Sequence, residues 1–242
     1  MKRLLMAAST VLIMCAQASA TTHVVLIAGQ SNVCDQGVAV DLPDEYRYLL
    51  SCPPGVRLFA WGEEVPYEGR SKFGVEVAIA HAWQRENVED ELWVVKCGKG
   101  GTSISSWLPS KTRRTLYHQM RVAFRTIITG APDVVLDRFI WIQGEKDCWY
   151  DRQVSLDYSV SLRSLIRSVR RDMGTPETPV SVVVLSEPIL HRPYTQWIMG
   201  AQWGVSDVML GVTSIDSAGI AKRDDLLHYS EPHLLGMWIV GE

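Results

Sequence analysis

Six short apolar runs punctuate the chain: "HVVLIAG" from His23, "VRLFAW" from Val56, "LWVVKCG" from Leu92, "RFIWIQG" from Arg138, "VSVVVLS" from Val180 and "VMLGVTS" from Val208. Their length and β-branched content suit strands buried on both faces. Between them lie stretches with apolar residues at steps of three and four. One joins Leu116, Met120, Ala123, Phe124, Ile127 and Ile128; another joins Val154, Tyr158, Leu162, Leu165, Ile166, Val169 and Met173. That spacing belongs to helices with one apolar face. Strand, helix, strand in repetition predicts an α/β fold, a three-layer sandwich around a mostly parallel central sheet. At 242 residues and 47% hydrophobic content the chain can bury one full-sized core, and no repeat, low-complexity tract or long linker divides it.

The first twenty residues, "MKRLLMAASTVLIMCAQASA", have a basic start at Lys2 and Arg3, an apolar centre and Ala18-Ser19-Ala20 as a small-residue cleavage site. This is the pattern of a secretory signal peptide, so residues 1–20 are read as a leader and 21–242 as one domain, secreted or periplasmic. The apolar run is interrupted and too short to span a bilayer, so no membrane association is expected after cleavage. Losing Lys2 and Arg3 moves the net charge from -3 to about -5, and no basic patch for nucleic acid is evident. Cys34, Cys52, Cys97 and Cys148 would enter an oxidising compartment, where disulfides are permitted; four cysteines allow three full pairings, while Cys97, ending an apolar run, also suits simple burial.

Ligands of such folds bind beyond the carboxyl ends of the strands. Three polar stretches stand there: "GQSN" (Gly29 to Asn32), "GKGGTSISSW" (Gly98 to Trp107) and "QGEKD" (Gln143 to Asp147). A serine at a sharp strand-to-helix turn can expose its hydroxyl while its own N–H faces a reacting carbonyl oxygen, and Ser31 has that position. It lacks the last glycine of G-x-S-x-G. Gly100 and Gly101 would let backbone N–H groups approach a ligand closely, although a plain glycine turn also explains them; phosphate-loop spacing is absent. Gln143 offers a side-chain amide donor. Glu145 and Asp147 beside it raise a rival reading, a glycosidase-like carboxylate pair. Near the other end, in "DDLLHYS", Asp225 and His228 are three apart, which in a helical turn would let the carboxylate orient the imidazole as a general base. No H-E-x-x-H or C-x-x-C spacing suggests a metal.

In order, Gly29-Gln30-Ser31-Asn32, Gly100-Gly101-Thr102-Ser103 with Trp107, Trp141 to Asp147, and Asp225-Leu226-Leu227-His228 resemble the SGNH hydrolase superfamily, and more narrowly its sialate O-acetylesterase and carbohydrate esterase family 6 branch. The likeness extends over nearly the whole mature chain, including "FGVEVAIAHAW" and "DYSVSLRSLIRSVRRDMG". It implies an SGNH/flavodoxin-like sheet and a triad of Ser31, His228 and Asp225. The implied oxyanion hole comprises the Ser31 N–H, Gly100 or Gly101, and Gln143. The implied reaction removes acetyl groups from a carbohydrate, of the acetylxylan esterase or sialate O-acetylesterase type, through an acyl-enzyme and without a cofactor. Trp107 and Trp149 adjoin these loops and could stack on sugar rings. Where the family usually has methionine after G-Q-S-N, this chain has Val33. A broad-specificity, lipase-like carboxylesterase and a catalytically inactive carbohydrate-binding protein are the competing functions. The residues do not specify the glycan or the oligomeric state.

Overall fold

The computed structural model describes residues 21–129, 131, 134–149, 151–187 and 192–241, so the candidate leader lies outside the described residues. The strands are β1 (Thr22–Gly29), β2 (Gly37–Val38), β3 (Val56–Ala60), β4 (Glu63–Glu64), β5 (Lys72–Phe73), β6 (Glu91–Gly98), β7 (Val134–Ile142), β8 (Val180–Val184) and β9 (Val212–Asp216). The helices are α1 (Glu76–Glu86), α2 (Leu116–Ile128), α3 (Arg152–Met173), α4 (Thr195–Val208) and α5 (Pro232–Val240). Seven strands form one sheet in the order β4-β3-β6-β1-β7-β8-β9, and β2 and β5 form a separate antiparallel pair. Only β4, the return of a hairpin from β3, runs antiparallel within the large sheet. Without that edge hairpin the order becomes β6-β1-β7-β8-β9, the flavodoxin-like arrangement, which reverses between β1 and β7. A ligand crevice belongs at the carboxyl ends of those two strands.

Burial follows the pleat. On β1, Val24, Leu26 and Ala28 join the core under α2, α3 and α4, while Val25 and Ile27 join the core under α1 and α5. Two apolar faces explain why the run reads as continuously hydrophobic. Truncating a side chain such as Leu26 to alanine would cost about 2–5 kcal/mol through lost transfer energy and a cavity. Helix α2 begins at a Thr115–His118 capping box, and α3 at Asp151, whose carboxylate accepts from Gln153 N at 2.8 Å. On the other face α5 presses on the start of α1: a Cβ on Gly236 would stand 2.5 Å from Val75 O.

The helix expected from Leu116 to Ile128 has those bounds, and Val154 to Met173 lie within α3. The run from Val208 needs correction. Val208 is the last residue of α4, because Val205 and Met209 are buried one helical turn apart, and the strand begins at Val212 after a turn at Gly211 with φ 69°. All four described cysteines are free thiols, with Cys97 and Cys148 buried.

Candidate active site

The turn that carries Ser31, the candidate nucleophile, is set by a close approach of two strand ends. Gln30 N donates to Ile142 O at 3.0 Å, and a Cβ on Gly29 (φ 147°) would fall 1.9 Å from that same oxygen. Only glycine fits there. The chain then turns through one 3₁₀ turn, Ser31–Val33, which leaves Ser31 partly exposed while Asn32 and Val33 are buried. Val33 belongs to the core on the α1 and α5 face. A buried ion network pins the segment that follows. Lys96 near the end of β6 bonds Asp35 and, at 2.8 Å, Glu76; Arg70 bonds Glu76 at 2.9 Å and Asp35 at 3.4 Å. Burial alone would raise the Glu76 carboxyl, but Lys96 and Arg70 outweigh it and hold it well below the usual range. Gln36 closes the turn by donating to Ser31 O at 2.8 Å.

The glycine turn after β6 comes alongside. A Cβ on Gly100 would lie 3.8 Å from that of Ser31, whereas one on Gly101 would meet nothing within 4 Å. Of the two glycines left open by the sequence, Gly100 is therefore the neighbour of the serine. Beneath this turn, Trp107 is fully buried between Trp61 and Trp141, and its indole N–H donates to Thr102 Oγ1 at 3.0 Å. It cannot stack on a sugar, which corrects that expectation: apolar packing of the indole won over its position next to a catalytic loop. Trp149, by contrast, is 46% exposed.

The loop after β7 forms the floor. Gln143 is 1% exposed, and its amide nitrogen stands among three acceptors: Thr102 O at 2.9 Å, Asp147 Oδ2, and Gln30 Oε1 at 3.4 Å. Three acceptors determine which end of the amide faces them and engage both of its protons. An open oxyanion donor was the expectation; in this geometry the donor points inward. Asp147 also accepts from Ser103 Oγ at 2.5 Å and from Ile104 N at 3.0 Å, so it laces the glycine turn to the floor. Glu145 accepts from Asn32 Nδ2 at 2.6 Å through Oε1, while its buried Oε2 has no hydrogen-bond partner among the described residues. Burial pushes both carboxyls up, and their hydrogen bonds and neighbouring cations only partly offset it. At 2% exposure each, committed to inward contacts, they do not form a glycosidase pair open to substrate.

The Asp225–His228 segment is a strap and not a helical turn, which corrects the assumed geometry. Leu226 takes φ 53°, and Asp225 Oδ1 accepts from Leu227 N at 2.8 Å and His228 N at 2.9 Å. That fold-back leaves Asp225 Oδ2 2.6 Å from His228 Nδ1. Burial raises the Asp225 carboxyl, but the His228 N–H, the imidazole and the Leu227 N–H together outweigh it and bring it down to about 2. An ionised carboxylate only accepts, so the ring proton sits on Nδ1 and Nε2 is left as the base. Asp224 is exposed.

Asn32 was not foreseen, and it joins the two halves. Its Nδ2 donates to Glu145 Oε1 and, at 3.2 Å, to Leu227 O; its Oδ1 accepts from Tyr229 N at 3.2 Å. The residue after Ser31 therefore grips the residues on either side of His228. The only sequence signal for it was its place in "GQSN", where ordinary turn chemistry accounts for an asparagine equally well.

The family model described as "SASA: Carbohydrate esterase, sialic acid-specific acetylesterase" matches residues 21–237. No curated protein matches the chain in sequence. Among solved structures, a protein from Arabidopsis thaliana is similar at TM-score 0.74 and 20% identity, over 91% of this chain and 96% of that one. A carbohydrate acetylesterase from Xanthomonas citri is similar at TM-score 0.66 and 18% identity, over 88% of this chain and 53% of that one, so this chain spans about half its length. An acetyl xylan esterase from Geobacillus stearothermophilus is similar at TM-score 0.51 and 15% identity, over 90% of this chain and 94% of that one. At these identities the likenesses establish the three-layer fold. The family match covers nearly all of the described chain, and the protein belongs to the sialic acid-specific acetylesterase family of carbohydrate esterases and is an ester-hydrolysing enzyme.

Proposed function

We propose that this is a secreted serine esterase that removes acetyl groups from carbohydrates through an acyl-enzyme at Ser31. The observation that carries the reading is the Asn32 bridge, which holds a carboxylate-bound His228 against the turn that presents Ser31. His228 Nε2 takes the Ser31 Oγ proton as that oxygen attacks the acetyl carbonyl. The negative charge on the tetrahedral intermediate falls to the N–H groups of Ser31 and Gly100, neither bonded to an acceptor among the described residues. Gln143 joins them by exchanging one inward bond for the oxyanion. The sugar oxygen leaves with the proton from Nε2, His228 then deprotonates a water that attacks the acyl-enzyme, and acetate departs to regenerate Ser31. Asp225 stabilises the imidazolium at both stages.

A screen of acetate release from acetylated xylan, sialoglycans and small acetylated sugars, run beside Ser31→Ala, tests this. Turnover that requires Ser31, and a sulfonyl fluoride adduct located on Ser31 by mass spectrometry, are expected. An active Ser31→Ala enzyme would remove Ser31 from the mechanism. Faster cleavage of long-chain acyl esters than of acetyl sugars would point to the lipase-like alternative, and glycan binding without turnover to an inactive binding protein. The exported form should begin at Thr21.

A further inference from the structure

Beyond the candidate site, Trp149 and Arg152 meet the segment 192–197 in a patch of aromatic rings. Trp149 is 46% exposed and Trp197 40%. Single exposed apolar residues are ordinary, but these rings are held in place. The Arg192 guanidinium lies 4.4 Å from the Trp149 ring centre, and that of Arg152 lies 5.5 Å from the Trp197 ring centre. Tyr194 stacks on Trp197 with centroids 5.3 Å apart and planes 29° from parallel. The patch is anchored to the floor of the candidate site: Arg192 also donates to Glu145 O, and Tyr194 N donates to Cys148 O at 3.2 Å. Lys146, three residues before Trp149, donates its N–H to Gln30 Oε1 at 3.2 Å, next to Ser31.

We propose that Trp149, Tyr194 and Trp197, with Arg152 and Arg192, form a platform for main-chain sugars of an acetylated polysaccharide, so that the enzyme acts on polymers in preference to free sugars. This rests on the acetylesterase reading of Ser31. A pyranose ring has apolar C–H faces and a rim of hydroxyls, and the patch offers aromatic faces beside guanidinium donors. Rings fixed in advance lose little freedom on binding, which is how a shallow surface gains affinity. A chain carrying its acetyl group to Ser31 extends over the neighbouring surface, and the loop shared by Trp149 and Gln143 is that surface. A second copy of the chain seated on the same exposed rings is the competing occupant.

The test compares kcat/KM on acetylated xylan and acetylated glucomannan with that on 4-nitrophenyl acetate, for the wild type, Trp197→Ala and Trp197→Phe. The polymer-to-small-ester ratio should fall about three- to tenfold in Trp197→Ala, the scale of one aromatic contact, and return in Trp197→Phe. Affinity electrophoresis of Ser31→Ala through deacetylated xylan and glucomannan gels reads the platform without catalysis, and retardation should weaken when Trp197→Ala is added. An unchanged ratio on both polymers, or no retardation in either gel, overturns the platform. So does a wild-type dimer in analytical ultracentrifugation that Trp197→Ala converts to monomer. Absence of Ser31-dependent release from every ester would instead remove the esterase reading, with electrophoresis still deciding whether a glycan lies on the rings.

Discussion

The loop after β7 buries Glu145 and Asp147 at 2% exposure each, whereas the strap leaves the Asp225 side chain 46% exposed. Behind the strap lies a cavity of about 680 Å³ whose lining includes Phe73, Arg223, Ser230 and His233; beneath the floor lies packed core around Trp107, Trp141 and Tyr158. The floor is thus an extension of the sheet, its polar groups dry and, apart from Glu145 Oε2, held by hydrogen bonds. The strap is held by its own turn, the Lys222–Tyr229 bridge, Lys222 on Ser186 O, the buried Tyr229 hydroxyl on Ser217 and the Asn32 clamp. Losing a floor hydrogen bond such as those of Gln143 should therefore cost stability and catalysis together, and damage to the strap chiefly catalysis.

The largest expected effect comes from the strap. Asp225→Asn preserves shape but frees His228 to take the wrong tautomer, and should lower kcat by up to about ten-thousandfold on the serine-protease precedent. Circular dichroism should show the fold intact, and Asp224→Asn should stay within about twofold in the same assay. Near-normal turnover by folded Asp225→Asn would dissolve the proposed triad.

On the floor, Gln143→Ala should lower kcat roughly a hundredfold, the scale of losing one side-chain oxyanion donor. It should also depress Tm, since Thr102 O and Asp147 lose their shared donor, by about 2–4 °C for each kcal/mol lost in a chain of this size. A drop in kcat with unchanged Tm would make the floor as loosely coupled to the fold as the strap. A rise in KM alone would make Gln143 a residue for ground-state binding.

The smallest effect is one of sign, read from Tm between pH 2 and pH 8. Glu145 has a folded pKa raised by burial, so its contribution is fully present below the ordinary carboxylate range and is lost as pH rises through the folded value. Asp225 is the reverse: its contribution is present above about 4, the unfolded value, and is lost as pH falls toward about 2. Glu145→Gln should gain a few degrees on the wild type at neutral pH and lose the gain on acidification. Asp225→Asn should trail the wild type slightly above pH 4, its exposure to solvent limiting the difference, and converge with it near pH 2. Curves that move together would mean the two regions do not differ as drawn.

The same contrast explains what could be read in advance. Strand β1, helix α2 and the three loops at strand ends were legible because periodicity and turn residues are local properties. The wrong fate of Val208 came from an apolar cluster, Val205 to Met209, that serves a helix end as well as a strand. Trp107 and Trp149 look alike in sequence, each adjoining a catalytic loop, but one is sealed between two other tryptophans and the other lies in water; only packing separates them. The inward aim of Gln143 depends on Thr102 and Asp147 together, and the role of Asn32 on residues at the far end of the chain. Neither has a spacing to announce it.

The Asn32 clamp also has a consequence in time. Its bond to Tyr229 N joins residues 197 apart, so Ser31 leaves the ribosome well before the proposed base, His228. At about 5–20 residues per second, roughly 10–40 s of synthesis separates the two. Through that interval the nascent chain carries the proposed nucleophile with no base beside it, and on the proposed mechanism it gains hydrolytic power only when the strap closes.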